Sequence, residues 1–571
     1  MLSAAVLSRQ WPTLLALVVF TLASLGIGVV ANLVASKRAG FLRKYFLGNR
    51  SMGAIAVALT AAIMSGGTFM GFPSLIYQFG WVVGLWICSY MVAPLTVLGL
   101  MGKRIGQLSR RTGAITLPDL FRERYGSPLM GLLTSMVILL FLTVFMEAQF
   151  TAGGRLMKIV LTGESLHKIA TVEEDAAAPP APGGPAPPSA QLANEDAAYR
   201  LGLAVFTLTV VAYTAYGGFL AAVWTDVFQS IVMAIGVMIL LPLAMSASGG
   251  LEGATRAGVE QAGAGFAFGP GAGRSFHSLG LAFSYFVMWA ITGAGQPSTM
   301  VRLMAFRDTK TLRYSIIYVA IYNAIIYIPL VFIFVAARSI LPPLESSDDA
   351  MPTLVVTLAN PYVAGILMAA PYGALLSTVS GWLLIISSGL VRDLYQRFLR
   401  PAASEKEIER ASYVMTVLVG LGVAYAALKP PALLQLIVVF ASSGLASAFL
   451  IPGVMAAYWR RATAPGAIAA LLAGTGVTLG LYLLGMTTPE SLGLGWLLPP
   501  NPDIGPAKGL RPYYLLGLEP CVWGITASAL AGVVVSLATK PPDPIRVSLL
   551  FDAQPPSAPA PATLDLQREA V

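Results

Sequence analysis

The stretch Ala56–Pro73, AVALTAAIMSGGTFMGFP, starts as an apolar helix and then breaks its own pattern. Ser65-Gly66-Gly67 arrives near its midpoint, with Gly71 and Pro73 close behind. Two adjacent glycines cost about 2 kcal/mol of helix propensity relative to alanine. A broken turn inside an apolar segment frees main-chain groups that need other partners. The whole chain makes the segment's solvent plain. Its 571 residues are 56% hydrophobic and only 11% charged, with a mean hydropathy of +0.74. A soluble surface needs more charge than that. Apolar runs of about twenty residues recur along the sequence, enough to cross about 30 Å of hydrocarbon.

Hydropathy predicts an all-α integral membrane protein of about thirteen spans. They run Trp11–Ala35, Met52–Phe79, Trp81–Met101, Pro128–Ala152, Leu201–Tyr216, Val227–Ser246, Leu279–Thr299, Ser315–Ala337, Val363–Leu390, Tyr413–Leu428, Leu433–Tyr458, Ala464–Leu484 and Leu515–Thr539. The first run is too long for the apolar region of a signal peptide and reads as an uncleaved span. An odd number of spans puts the termini on opposite sides. Most of the 36 Lys and Arg residues then fall in connections on one face, among them Lys37, Arg43, Lys103, Arg110, Arg122, Arg307, Arg397, Arg460 and Lys540. The positive-inside bias places the N-terminus outside and the C-terminus in the cytoplasm of a cell that carries the chain in its inner (plasma) membrane. The same loops explain the net charge of +9 without nucleic acid, because the basic residues are spread instead of forming one patch.

Residues 1–540 read as one transmembrane domain in contact with the lipid bilayer, and one copy suffices for a pathway through it. Residues 173–198, rich in Pro and Ala, read as a disordered outer loop, and 541–571 as a disordered cytoplasmic tail. Cys88 and Cys521 sit alone in apolar runs. No Cys or second His is spaced with His167 or His277 for a transition metal, and no nucleotide or nucleophile motif is present. The sequence does not point to an enzyme.

A second interruption, Gly293-Ala294-Gly295-Gln296-Pro297, lies in the seventh span. Breaks at matching positions of two halves mark the midplane site of many transporters. Spans 2–6 (about 52–246) and 7–11 (about 279–458) would be those halves. Close packing through small residues is the plain alternative.

Ordered motifs along the chain resemble the sodium:solute symporter family. They are Tyr45-Phe46-Leu47-Gly48-Asn49-Arg50-Ser51-Met52, the second-span core, Gly217-Gly218-Phe219 before Trp224-Thr225-Asp226 and Gln229, Gly295-Gln296-Pro297 with Arg302, Ala374-Leu375-Leu376-Ser377-Thr378, and Asp393-Leu394-Tyr395. Gln149-Phe150, Arg155, Ala369-Ala370-Pro371, Lys429-Pro430-Pro431, Tyr458-Trp459 and Ala464-Pro465-Gly466-Ala467 are similar to its sodium/pantothenate branch. The resemblance implies inverted repeats of about five helices each, a leucine-transporter-like fold. It implies Na⁺ as coupling ion, held by backbone carbonyls of Ala61 and Met64 and by the Ala374 carbonyl with the Ser377 and Thr378 hydroxyls. The chemistry agrees, since Na⁺ is a hard cation and Ala374, Ser377 and Thr378 share one helix face. The alternative is that both hydroxyls bond back to their own helix. Asp226 with Ser380 would serve a second ion or its release path, although Gly381 stands where another hydroxyl is expected. A helix-terminal charge is the simpler role for Asp226.

By the same resemblance the solute lies among Gly66, Gly67, Thr68, Phe69, Phe145, Gln149, Trp289 and Gly293, with Trp289 open to an ordinary packing role. Free N–H groups where the second-span helix resumes would suit a carboxylate. Ile63 and Gly67 replace the acid and tryptophan of proline-transporting relatives, which disfavours proline. Glu147 is an acid inside a span, open to a proton-linked role, to pairing with Arg155 or to a place near the outer interface. One Na⁺ crossing about 100 mV releases about 2.3 kcal/mol, and a tenfold gradient adds about 1.4. A monoanion carried one-to-one uses only the second term. The expectation is sodium-coupled import of a small carboxylate such as pantothenate. The alternatives are acetate, lactate or pyruvate, and a membrane solute sensor, for which the C-terminal extension is too short to hold a kinase module.

Overall fold

A computed structural model of the chain describes residues 4–34, 53–62, 64–162, 188–268, 278–344, 346–429, 434–487, 493, 495–496, 498–502 and 510–552. The Tyr45–Met52 motif, Ile63, His167, His277 and Pro430-Pro431 lie outside the described residues. Every regular element among the described residues is helical. Among the described residues ten helices are long and apolar enough to cross a membrane: Trp11–Ala31, Gly67–Thr112, Pro128–Leu161, Asp196–Ala215, Ala221–Ser248, Thr309–Ile340, Pro361–Leu399, Leu434–Tyr458, Ala464–Thr487 and Pro520–Ala538. The chain is a multi-pass membrane protein.

The other three expected spans differ from these for visible reasons. The helix Ala54–Ala61 stops short, and the chain resumes helical form only at Gly66. Leu279–Ile291 gives way to a tight 3₁₀ turn, Thr292–Gly295, before Pro297–Ala305. Glu405–Ala426 is one continuous helix whose first turns carry Glu405, Glu407 and Glu409, which lowers its mean hydropathy.

Burial ranks the helices. The central stretches of Leu434–Tyr458 and Pro361–Leu399 are 89% and 83% buried, against 28% for both Trp11–Ala31 and Pro520–Ala538. The two former helices form the middle of the bundle, and the two latter face outward. The fifth and sixth expected spans belong to one run, Pro188–Ser248, turned at Gly218. Gly218 has φ 63°, a left-handed conformation that glycine adopts without steric cost. This run begins at Pro188, so 188–198 is helical, not the end of a loop, and 163–187 lie outside the described residues.

Glu519 caps Pro520–Ala538. Its carboxylate accepts from the Cys521 N–H (2.6 Å), the Ser443 hydroxyl (2.8 Å) and the Tyr482 hydroxyl (3.1 Å), and it is fully buried. The segment after Lys540 also departs from expectation. Pro544–Phe551 is helical and docks on the basic connections. Arg111 and Arg546 donate to the Leu549 and Glu123 carbonyls (3.3 Å each). Arg124 and Arg460 lie over the Phe551 ring at 5.1 and 5.5 Å, and Arg460 pairs with Asp552. Residues 553–571 are outside the described residues.

Candidate functional site

The break after Ala61 is held open by a local set of hydrogen bonds. The Ser65 carbonyl accepts from the N–H groups of Thr68 (2.9 Å) and Phe69 (3.2 Å), and its hydroxyl accepts from Gly67 N–H (3.1 Å). The Thr68 hydroxyl accepts from Ser65 N–H (3.3 Å) and pairs with the Tyr327 hydroxyl (3.1 Å). Gln149, from the helix Pro128–Thr162, accepts the Gly66 N–H at 2.7 Å. The expected free N–H groups at this helix start are therefore taken, and the physical reason is capping by Ser65 and Gln149.

The freed carbonyl of Met64 meets the opposite helix, Pro361–Ser388. The Thr378 hydroxyl donates to it at 2.8 Å, and the Ser377 hydroxyl lies 3.5 Å from it and 3.1 Å from the Ala374 carbonyl. Ser377 thus combines a bond back to its own helix with an approach to the break, whereas Thr378 bonds across. Ala61 is the last helical residue before the break. Met64, Ser377 and Thr378 border a small cavity with Thr60, Asp226 and Ser230. Asp226 is buried, pairs with Arg302 through Oδ2 at 3.4 Å, and leaves Oδ1 without a hydrogen-bond partner among the described residues. The Ser380 hydroxyl donates to the Ser377 carbonyl at 3.0 Å, its own helix satisfying it.

A larger cavity, about 800 Å³ counting the open space at its mouth, lies between the two breaks. Gly67, Thr68, Phe145, Trp289 and Gly293 line it, while Gly66, Phe69 and Gln149 are not part of its lining. Phe69 is fully buried, and a side chain at Gly66 would press on Leu375 and the Gln149 carbonyl oxygen. Trp289 stacks on Tyr90 (5.5 Å), which stacks on Tyr327 (4.2 Å), so it both packs and faces the cavity. Its indole Nε1–H has no partner among the described residues. Gln296, extended at φ −77° and ψ 123° as a residue before proline prefers, ends the second break and reaches the same cavity. Among the described residues no Lys, Arg or His borders it.

Sequence reading missed Gln435, Asn323 and Ser442 on the cavity wall. A lone amide near the start of an otherwise apolar helix was the available signal for Gln435. Of the roles left open for Glu147, the pairing with Arg155 is not the one formed: Arg155 pairs with Asp348 (3.4 Å) and the Ser346 hydroxyl (2.8 Å). Asp348 in turn accepts from Leu434 N–H at 3.1 Å, tying the start of Leu434–Tyr458 to the same end of the bundle. At the opposite end Asp393 accepts from the Thr116 hydroxyl (3.2 Å) and Asp119 pairs with Arg397. Burial pushes the Asp119 carboxyl above the usual carboxylate range, against the pull of neighbouring guanidinium groups.

The model of the sodium:solute symporter family matches residues 45–170 and 191–474. The chain belongs to that family. The symporter is 32% identical over 479 residues to the sodium/pantothenate symporter of Haemophilus influenzae, covering 83% of this chain and 91% of the relative. It is 33% identical over 472 residues to the Escherichia coli sodium/pantothenate symporter, covering 81% and 89%. A solved structure of a Na⁺-coupled sialic acid symporter, in a substrate-bound outward-open state, aligns with a TM-score of 0.67. It is 18% identical and the alignment covers 93% of this chain and 98% of that one, which shows a shared fold.

Proposed function

We propose that this symporter imports pantothenate, or a small carboxylate of the same class, together with Na⁺. The observation that carries the reading is the meeting of the Thr378 and Ser377 hydroxyls with the Met64 carbonyl at a helix break. In this reading Ala61, Met64 and Ala374 give carbonyl oxygens to the ion, and Ser377 and Thr378 turn their hydroxyl protons away to do the same. A dehydrated alkali ion needs such oxygens at short range, and an intact helix has none to spare. Trp382 borders both the ion's cavity and the large one, so ion and solute would bias the same packing. Asp226, across the small cavity from Thr378, takes the ion on its way out, and Ser380 supports that path by fixing the Ser377 carbonyl.

The solute occupies the large cavity. With the helix-start N–H groups capped, its carboxylate is met by neutral donors, with the Trp289 Nε1–H and the Thr299 hydroxyl placed to serve. A pantothenate monoanion moving with one Na⁺ carries no net charge. The driving force is then the chemical gradient alone, about 1.4 kcal/mol for each tenfold difference in sodium.

The chain crosses the membrane about thirteen times in this reading, with the second and seventh crossings interrupted at Ser65–Gly67 and Gly293–Pro297. Residues 52–246 and 279–458 form inverted repeats within a 1–540 domain, with 173–198 outside, 541–571 in the cytoplasm and the N-terminus outside. One copy is a complete transporter in the plasma membrane. The test is uptake of labelled pantothenate into proteoliposomes under an inward sodium gradient, with unlabelled competitors. Pantothenate should compete at the lowest concentration. Stronger competition by acetate, lactate or pyruvate would move the solute to the monocarboxylates, and binding without accumulation would make the chain a sensor.

A further inference from the structure

The helix Leu434–Tyr458 brings one amide side chain into the solute cavity near its start. Gln435 is only 2% exposed, and neither Oε1 nor Nε2 has a hydrogen-bond partner among the described residues. Buried carboxamides are ordinarily satisfied, because an unpaired polar group costs about 1–3 kcal/mol. The contrast with Gln149 is direct, since that carboxamide spends its oxygen on the Gly66 N–H. Gln435 instead lies in a gap left by glycines of the broken helix. A methyl group at Gly67 would stand 3.2 Å from its Oε1, and one at Gly71 would run into the carboxamide itself. Asp348 fixes the neighbouring Leu434 N–H, which holds the residue at this depth. Asn323 Oδ1 and the Ser442 hydroxyl, on the same wall, are also without partners among the described residues.

A carboxamide offers one acceptor beside one donor. A carboxylate, which only accepts, would satisfy the Nε2–H but leave Oε1 facing negative charge. A neutral solute group that both donates and accepts satisfies both atoms. We infer that Gln435 reads the amide-and-hydroxyl portion of the solute, its Oε1 accepting from the solute's amide N–H and its Nε2 donating to a solute hydroxyl oxygen. This rests on the reading that the solute is an amide-bearing carboxylate such as pantothenate. It makes Gln435 the residue that separates such solutes from simple monocarboxylates.

The test uses the full chain in proteoliposomes and compares pantothenate with its ester analogue, –CO–O– in place of –CO–NH–. The analogue keeps shape and carboxylate but removes the N–H. A site built around a hydrogen bond rejects the analogue that lacks it. The wild-type protein should show a kcat/KM for the ester lower by about tenfold or more. Gln435→Met, similar in volume and apolar, should bring the two solutes within about threefold, with the sodium dependence of uptake unchanged. The ratio within each protein is independent of how much of it folds, and the wild-type arm needs no variant. Equal transport of amide and ester by the wild type, or a preference that survives Gln435→Met, would overturn the inference while leaving sodium-driven pantothenate uptake intact. A wild-type chain that carries monocarboxylates and no amide-bearing solute would overturn both readings, and the two failures are thereby told apart.

Discussion

Replacing Thr378 with valine tests the proposed ion site, because the two side chains share a shape and differ by one hydroxyl. In the structure that hydroxyl is buried and donates to the Met64 carbonyl at 2.8 Å. Its loss has two consequences. The folded protein forfeits one neutral hydrogen bond, about 1 kcal/mol net. The bound ion loses an oxygen, and interactions of neutral groups with charge are worth about 1.5–3 kcal/mol. At about 1.4 kcal/mol per factor of ten, the sodium concentration for half-maximal uptake should rise by about 10- to 150-fold. The assay is initial pantothenate uptake at saturating solute across a sodium series, with choline keeping ionic strength constant. Thr134→Val is the matched control: that threonine is equally buried and bonds only to its own helix, at the Met130 carbonyl (2.7 Å). It should leave the sodium curve in place. A Thr378→Val curve within twofold of the wild type, at comparable maximal rate, would refute the assignment of this hydroxyl to the ion.

Other outcomes follow from the same geometry. Asp226→Asn should lower stability by about 3 kcal/mol, since it leaves the half-buried Arg302 without its buried counter-charge, and Arg302→Met in the same chain should restore part of the loss; thermal inactivation of the purified protein measures both. Glu519→Leu removes a helix cap and the acceptor of the Ser443 and Tyr482 hydroxyls, which should cost about 2–4 kcal/mol with little change in sodium affinity. Gly295→Ala places a methyl 3.1 Å from the Ala446 Cα and the Leu450 N–H, so uptake should fall sharply as the second break is forced off the Leu434–Tyr458 helix. Phe551→Ala should free the helix Pro544–Phe551 from Arg124 and Arg460, read as faster amide exchange over 544–551 with sodium affinity unchanged.

The parts of this protein that sequence exposed are those where a residue type contradicts its surroundings. Ser65-Gly66-Gly67 is conspicuous in an apolar helix, and the adjacent hydroxyls of Ser377 and Thr378 gain meaning from facing such a break, since a lone membrane hydroxyl ordinarily bonds back to its own helix. The family resemblance then joined two segments far apart in the chain. The misses are matters of tertiary partnership. Nothing local says that Gln149, 83 residues away from Gly66, caps the resumed helix, and so the helix start looked available to a carboxylate. Arg155 passed over nearby Glu147 for Asp348, a residue 193 positions on, because the latter is carried to the same end of the bundle. Three of the thirteen expected spans are not helices of membrane length and apolarity among the described residues, because breaks and charged first turns shorten their apolar stretches. The tail looked coreless by composition, yet Phe551 finds a docking place between two arginines supplied by separate connections.

Pantothenate-stimulated entry of labelled Na⁺ into proteoliposomes is the most direct measurement of coupling through the Met64 and Thr378 oxygens. The wild-type chain should take up sodium only when pantothenate is present outside, and Thr378→Val should take up half as much or less at a sodium concentration that just saturates the wild type. Pantothenate entering at full rate with choline in place of sodium, or sodium entry indifferent to the solute, would contradict it.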